Sequence, residues 1–201
     1  MKNILLIVVL LPLVFTACRG TKSIPERYYN LHLPAAALEE LQQGLGTIPG
    51  HCHINMVSVA PAYASHQIAI REQSHTIRYF SFNEWVQRPG YVLTDLKIAF
   101  LDQHQIFETI STGRPGDEAG YLLETTVHRL EVDNRDDAFA ARLVIEFDFL
   151  DANTGRRLSN HKADRSMDLP ERNLNSFAAA ISELFAEELR NFTSQIMQKR
   201  E

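Results

Sequence analysis

From Ala138 to Leu150 the chain alternates with a period of two. Phe139, Ala141, Leu143, Ile145, Phe147 and Phe149 fall on one side, and Arg142, Glu146 and Asp148 on the other. Successive side chains of a strand point to opposite faces, so this stretch demands a sheet with one covered face and one wet face. Tyr121 to Val132 is a second long strand, joined to the first through Asn134-Arg135-Asp136-Asp137. The cover for the apolar face is written at the C-terminus. Behind Pro170, with Asn173 or Asn175 placed to cap, Leu174, Phe177, Ala178, Ile181, Leu184, Phe185, Leu189, Phe192 and Ile196 form one stripe. Glu183, Glu187, Arg190 and Gln198 lie off it. A stripe of this kind belongs to a helix packed on a core. At ~1.5–3 kcal/mol for each buried side chain, it makes the last helix a main source of stability.

The rest of the chain fits around that pair of layers. Tyr28 to Leu33 reads as a first strand with Tyr29, Leu31 and Leu33 on one face, ended by Pro34. Ala35 to Gly46 holds a short helix, and Pro49-Gly50 reads as a turn. Ile54 to Val59 reads as a strand covered on both sides and stopped by Pro61. Ile68 to Arg71 and Thr76 to Phe80 read as a hairpin. Pro89 suits the first turn of a helix whose stripe is Val92, Leu93, Leu96, Ala99, Phe100 and Gln103, with Thr94, Asp95, Lys97 and Asp102 facing outward. Gln105 to Ser111 reads as a strand and Gly113 to Asp117 as a loop. Asn153-Thr154-Gly155 turns into Arg156 to Met167, a strand polar enough to be an edge. The expected class is α/β of the α+β type: one domain, a mainly antiparallel sheet, and two principal helices packed on one face.

The first eighteen residues stand outside that fold. Lys2 precedes an apolar run from Ile4 to Phe15, interrupted only by Pro12, and the run closes on Phe15-Thr16-Ala17-Cys18. A spanning helix needs roughly twenty apolar residues, and Arg19-Gly20-Thr21-Lys22 ends this run too soon, so it reads as a removed export signal. Phe15-Thr16-Ala17-Cys18 resembles the bacterial lipobox, with Phe15 in place of the usual Leu, Val or Ile. The resemblance implies that Cys18 is acylated and becomes the mature N-terminus, anchored by several acyl chains at ~0.8 kcal/mol per buried methylene. An ordinary signal peptide with an incidental cysteine is the alternative. Arg19 in the next position, by resemblance to the sorting rule of Gram-negative lipoproteins, favours the outer membrane. The expected divisions are a lipoprotein signal peptide at 1–17, a lipidated tether at 18–27 and a folded domain at 28–201.

Processing would leave 184 of the 201 residues, enough for one domain with a core. With Lys2 gone, 19 basic residues stand against 25 acidic ones and no basic run remains. Phosphate contacts need clustered Lys and Arg, so nucleic acid is not an expected partner. Cys52 becomes the lone thiol besides the acylated one. It is expected to be buried beside Ile54 and Met56, an intermolecular bond being the alternative.

A catalytic constellation is missing. The sequence contains no Gly-x-Ser-x-Gly, His-Glu-x-x-His or Cys-x-x-Cys. Gly44-Leu45-Gly46 lacks the strand and third glycine of a phosphate cradle. In an extended chain His51 and His53 of His51-Cys52-His53 point to one side, as metal ligands do. A zinc site needs three or four ligands, so the expected reading is the start of a strand, with no metal, no cofactor and no enzyme activity. His66, His75, His104, His128 and His161 are scattered. The acidic run at Asp133 to Asp137 departs from calcium-loop spacing and reads as a solvated hairpin tip. Tyr79, Phe82 and Trp85 form an aromatic cluster, either an interface or lipid-contacting groove, or the place where the first helix docks on the sheet.

Tyr28-Tyr29-x-Leu31 behind a lipobox, Ile54-x-x-Val57-x-Val59-x-Pro61, Ile68-x-x-Arg71, Ile77-x-Tyr79, Phe82-x-x-Trp85 and Leu93-x-x-Leu96 come in a fixed order. Together they resemble the ABC-type transport auxiliary lipoprotein family, which includes the paraquat-inducible protein C group, over most of Tyr28 to Ile196. Val86 after Trp85 and the His51-Cys52-His53 stretch depart from the family's usual residues. The resemblance implies an outer-membrane accessory without turnover that docks an MCE-domain periplasmic protein. Through that protein it would serve a permease and ATPase moving lipids or other hydrophobic molecules. A lipoprotein regulating envelope or cell-wall assembly, and a periplasmic hydrolase using scattered Ser, His and Asp, are the alternative functions. The polar edge strand makes a homo-oligomer a further expectation.

Overall fold

The computed structural model describes residues 25–39, 46–113, 119–135 and 139–198. The signal segment, Cys18 with most of its tether, residues 40–45 of the short helix with Gly44-Leu45, residues 114–117 of the expected loop and Asp136-Asp137 lie outside the described residues. In chain order the elements are β1 (Arg27–Tyr29), α1 (Ala35–Glu39), β2 (Ile48–Ile54), β3 (Ser58–Val59), a 3-10 turn (Pro61–Tyr63), β4 (Gln67–Gln73) and β5 (Thr76–Trp85). They continue with α2 (Pro89–Gln103), β6 (Phe107–Ser111), β7 (Tyr121–Asp133), β8 (Ala140–Asp151), β9 (Arg157–Asp168) and α3 (Leu174–Gln198).

β7 is the strand on which the sheet is assembled. One edge pairs antiparallel with β8 along its whole length, and β9 continues that meander as the outermost strand. Three short strands laid end to end share the other edge. Cys52–Ile54 run beside Tyr121–Leu123, Ser58–Val59 beside Thr126–Val127, and Ile70–Arg71 beside Val132–Asp133, all parallel. β4 then pairs antiparallel with β5, while β1 on β5 and β6 on β2 are again parallel. The long ladders are antiparallel, as expected, and the parallel segments are an addition that the sequence pattern did not disclose.

Leu123, Thr125, Val127, Leu130 and Val132 of β7 line up with Phe149, Phe147, Ile145, Leu143 and Ala141 of β8 on the covered face. All nine stripe residues of α3 are buried there. Phe147 stacks on Phe192 with centroids 5.1 Å apart and tilts against Phe185 at 6.5 Å. Asn173 is the cap, its Oδ1 accepting the Ser176 amide at 2.8 Å. The α2 helix reaches the same face, where the Lys97 ammonium donates to Thr125 Oγ1 at 3.0 Å.

That contact corrects the expected orientation of α2. Lys97 is fully buried, Leu96 is half-buried, and Ala99 and Gln103 are exposed, so the inward stripe is Val92, Leu93, Lys97, Phe100 and Leu101. It also explains why Ile54 to Val59 is two strands and not one. Asn55 O accepts from Lys97 Nζ at 3.0 Å, and the Val57 amide donates to Thr94 Oγ1 at 2.8 Å, which in turn donates to Gly90 O at 2.6 Å. Side chains of α2 take the backbone groups that a continuous ladder would have used. Pro49-Gly50 lies inside β2, where a register shift and a φ of 99° at Gly50 absorb it as a bulge. The regular first strand stops at Tyr29, although Leu31 beyond it is buried.

Gly90 sets how closely α2 approaches β3. A Cβ there would lie 2.9 Å from the Val57 carbonyl oxygen. Gly90→Ala is therefore expected to cost about 1–3 kcal/mol by forcing the helix outward, despite alanine's better helix propensity. A urea midpoint equal to or above that of the parent would contradict this.

Candidate functional site

The expected aromatic cluster is divided by the sheet. Trp85 is 2% exposed, its amide donates to His66 O at 2.7 Å, and its ring lies 5.7 Å from that of Phe177. It is the anchor between β5 and the first turn of α3, not a surface residue. Strand β5 ends on this buried side while its neighbours point the other way. Tyr79 and Phe82 are 39% and 41% exposed. Tyr79 pairs with Ala69, while Gln67 and Tyr28 both pair with Glu84. Directly paired residues share a face, so Tyr28, Tyr79 and Glu84 all lie on the face away from the helices, and exposed Phe82 follows by alternation two residues before Glu84. Tyr28, 58% exposed, belongs to this group and was missed. The signal was present, because placing Tyr29, Leu31 and Leu33 inward leaves Tyr28 outward.

Beneath Tyr79 the same outer face carries a buried polar cluster. Glu131 is fully buried and is gripped by Arg71, with Nε 2.6 Å from Oε1 and Nη2 3.0 Å from Oε2. The Tyr63 hydroxyl donates to Oε2 at 2.6 Å and accepts from Arg71 Nη2 at 3.0 Å, and Arg71 Nη1 donates to Ser74 O at 3.2 Å. Burial, and then the bond to Glu131, push the Tyr63 phenol above its ordinary value. The bond to Glu131 holds Arg71 charged at every working pH. The 3-10 turn places Tyr63 over this pair, and Tyr79 OH ties back to the turn through Ala62 O at 3.1 Å. Bidentate charge-assisted bonding of this kind fixes geometry. It braces the outer aromatic face from below.

His51 and His53 do point to one side of β2, as expected, and both rings reach Ser111 Oγ on β6, at 2.6 and 3.1 Å. The hydroxyl between two imidazoles ties two parallel strands. His53 Nε2 is buried and has no partner among the described residues, so that imidazole lacks the carboxylate that orients the base in a Ser-His-Asp arrangement. Among the described residues no three His, Cys, Asp or Glu side chains converge as metal ligands. Cys52 faces the opposite side and is buried with Ile54, as expected, whereas Met56 is 57% exposed. Burial pushes its thiol up to about 12 against the opposing charge of Lys97. Lys97 is brought down to about 7 by burial, opposed by Cys52 and Glu124. A protonated, enclosed thiol is a poor nucleophile.

The described residues include two open clefts. One, of about 340 Å³, lies where β7, β8 and β9 meet the end of α3 and is lined by Tyr121, Phe149, Leu158 and Ile196 with Asp151 and Arg156. The other, of about 480 Å³, runs past His66, Val86, Arg88, Tyr91 and Asp95 at the start of α2. Among the described residues no helix is long and apolar enough to cross a membrane.

Comparison with known proteins gives the fold a context. A crystal structure of a Xanthomonas campestris protein of the DUF330 family superposes with a TM-score of 0.72 at 14% identity, covering 86% of this chain and 95% of that one. The structure of an uncharacterized protein superposes at 0.67 and 14% identity, covering 86% and 99%. The hypothetical protein CT253 of Chlamydia trachomatis superposes at 0.50 and 6% identity, covering 75% and 96%. These likenesses speak to fold alone. No curated protein matches the chain. The sequence pattern described as ABC-type transport auxiliary lipoprotein component matches residues 29–191, from the inward tyrosine of β1 nearly to the end of α3. The chain belongs to that family.

Proposed function

We propose that this protein is an outer-membrane lipoprotein, held at the bilayer by acylated Cys18. It serves as an accessory component of an MCE-type ABC transport system that moves lipids or other hydrophobic molecules across the periplasm. It acts by docking an MCE-domain partner, and through it a permease and ATPase, without turnover of its own. The family match over 29–191 behind the lipobox-like Phe15-Thr16-Ala17-Cys18 carries this reading. The site chemistry is in keeping with it: Ser111, which bonds two histidines, is a strand tie, and the one free thiol among the described residues is buried. Purification of the full chain from solubilised membranes should recover an MCE-domain protein. Recovery of no transport component would end the proposal.

Anchoring is tested separately. Cys18→Ser is expected to move the protein from the membrane to the soluble fraction, or to leave an unprocessed precursor. Loss of two or more acyl chains removes the stable part of the membrane affinity. Fractionation and N-terminal mass spectrometry check it, and a mature N-terminus other than Cys18 in the parent would refute it.

A further inference from the structure

We infer that the outer sheet face carrying Tyr28, Tyr79 and Phe82 rests on the surface of the same bilayer that holds Cys18. This rests on the lipid-anchored reading above and adds an orientation to it. Seven residue steps lead from Cys18 to Pro25, the first described residue, and an extended chain spans at most about 3.6 Å per step, so about 25 Å. The 25 residues of α3 alone run about 37 Å at 1.5 Å each. The tether is shorter than the body it carries, so the surface around its root must be the one near the headgroups.

That root is fixed by strand pairing. Arg27, Tyr28 and Tyr29 lie beside Asn83, Glu84 and Trp85, which sets Phe82 next to the point where the chain leaves the domain. Among the described residues, three of the six large exposed hydrophobic side chains, Tyr28, Tyr79 and Phe82, are gathered on this one face. Tyrosine combines an apolar ring with a polar tip, the property that enriches it at membrane interfaces, and phenylalanine adds apolar area of the kind that interfacial elements bury. The brace of Tyr63, Arg71 and Glu131 underneath keeps the face rigid, so the rings meet the bilayer without an ordering cost.

The test uses the full mature chain, acylated and reconstituted in phosphatidylethanolamine–phosphatidylglycerol vesicles. A nitroxide is attached at Tyr28→Cys, at Phe82→Cys, and at Lys162→Cys as reference. Lys162 is 64% exposed on β9, on the same face at the opposite edge of the sheet. Labels at 28 and 82 are expected to show a severalfold lower collision rate with a water-soluble nickel chelate and a higher one with oxygen, while the label at 162 stays aqueous. Acylated protein with all three labels equally aqueous overturns the inference and leaves the anchoring intact. Protection that arises only on adding a partner protein overturns it in favour of a protein interface. A mass spectrum without acyl chains at Cys18 overturns the anchoring and the inference together.

Discussion

Glu131→Ala is expected to cost about 3–5 kcal/mol, the loss typical of removing one member of a buried ion pair. Urea unfolding should then show a much lower midpoint with an unchanged slope. The reason lies in what remains. Arg71 is 9% exposed and anchored by its backbone between β7 and β5, so its guanidinium cannot swing to water when its two bonds to the carboxylate vanish. The Tyr63 hydroxyl loses its acceptor in the same event. Tyr63→Phe removes two hydrogen bonds and leaves the salt pair whole, and should cost less, about 1–3 kcal/mol. A double change, Glu131→Met with Arg71→Met, should recover much of the loss, because an apolar pair has no charge to strand. If Glu131→Ala unfolds at the parent midpoint, the cluster is not the brace described above.

None of that cluster was legible in the sequence, and the reason is physical. The alternation of β8 and the stripe of α3 announced themselves because each element buries one face along its whole length. A pattern summed over nine or more residues outweighs any single exception. Glu131, Arg71 and Tyr63 are single polar residues from three separate elements, and they become interior only because the 3-10 turn folds over the wet side of the sheet. Trp85 parts from Tyr79 and Phe82 for a related cause. A bulge in β5, opposite the step from Gln67 to Ala69, reverses its alternation between Tyr79 and Glu84. Residues adjacent in a list of aromatics therefore end on opposite faces. Parallel pairing of β2, β3 and β4 on β7 leaves no local trace either, since neither turn length nor periodicity encodes which long strand three short ones will share.

Lys97→Met is expected to stabilise the protein at pH 7 by ~2 kcal/mol and to abolish part of its pH dependence. A charged residue mid-helix reads as solvent-facing from sequence alone, and here it is enclosed with Cys52 on one side and Asn55 and Thr125 accepting its hydrogen bonds. In the unfolded chain the amine titrates at 10.5, and in the folded one at about 7. Between those values the unfolded state holds the extra proton, so stability rises with pH across that window and lies at its lowest below it. The penalty near neutrality is on the order of 4 kcal/mol at 1.36 kcal/mol per pH unit. Methionine removes it but forfeits two hydrogen bonds at ~1 kcal/mol each, which leaves the smaller net gain.

Cys52 acts in the opposite sense. Its thiol titrates at 9.0 unfolded and at about 12 in the fold, so above pH 9 the unfolded chain loses that proton first and stability falls. The raised phenol of Tyr63 adds to the fall above pH 10. Between pH 9 and 10 the Lys97 rise and the Cys52 fall cancel, so the parent should be most stable on a plateau across that range. Lys97→Met should keep only the descending limb, and Cys52→Ala should keep the rise while softening the descent. Denaturant midpoints measured from pH 6 to 10 decide it: parallel curves for the parent and Lys97→Met would mean that the buried amine keeps its proton throughout, held by Asn55 and Thr125 more firmly than burial disfavours it.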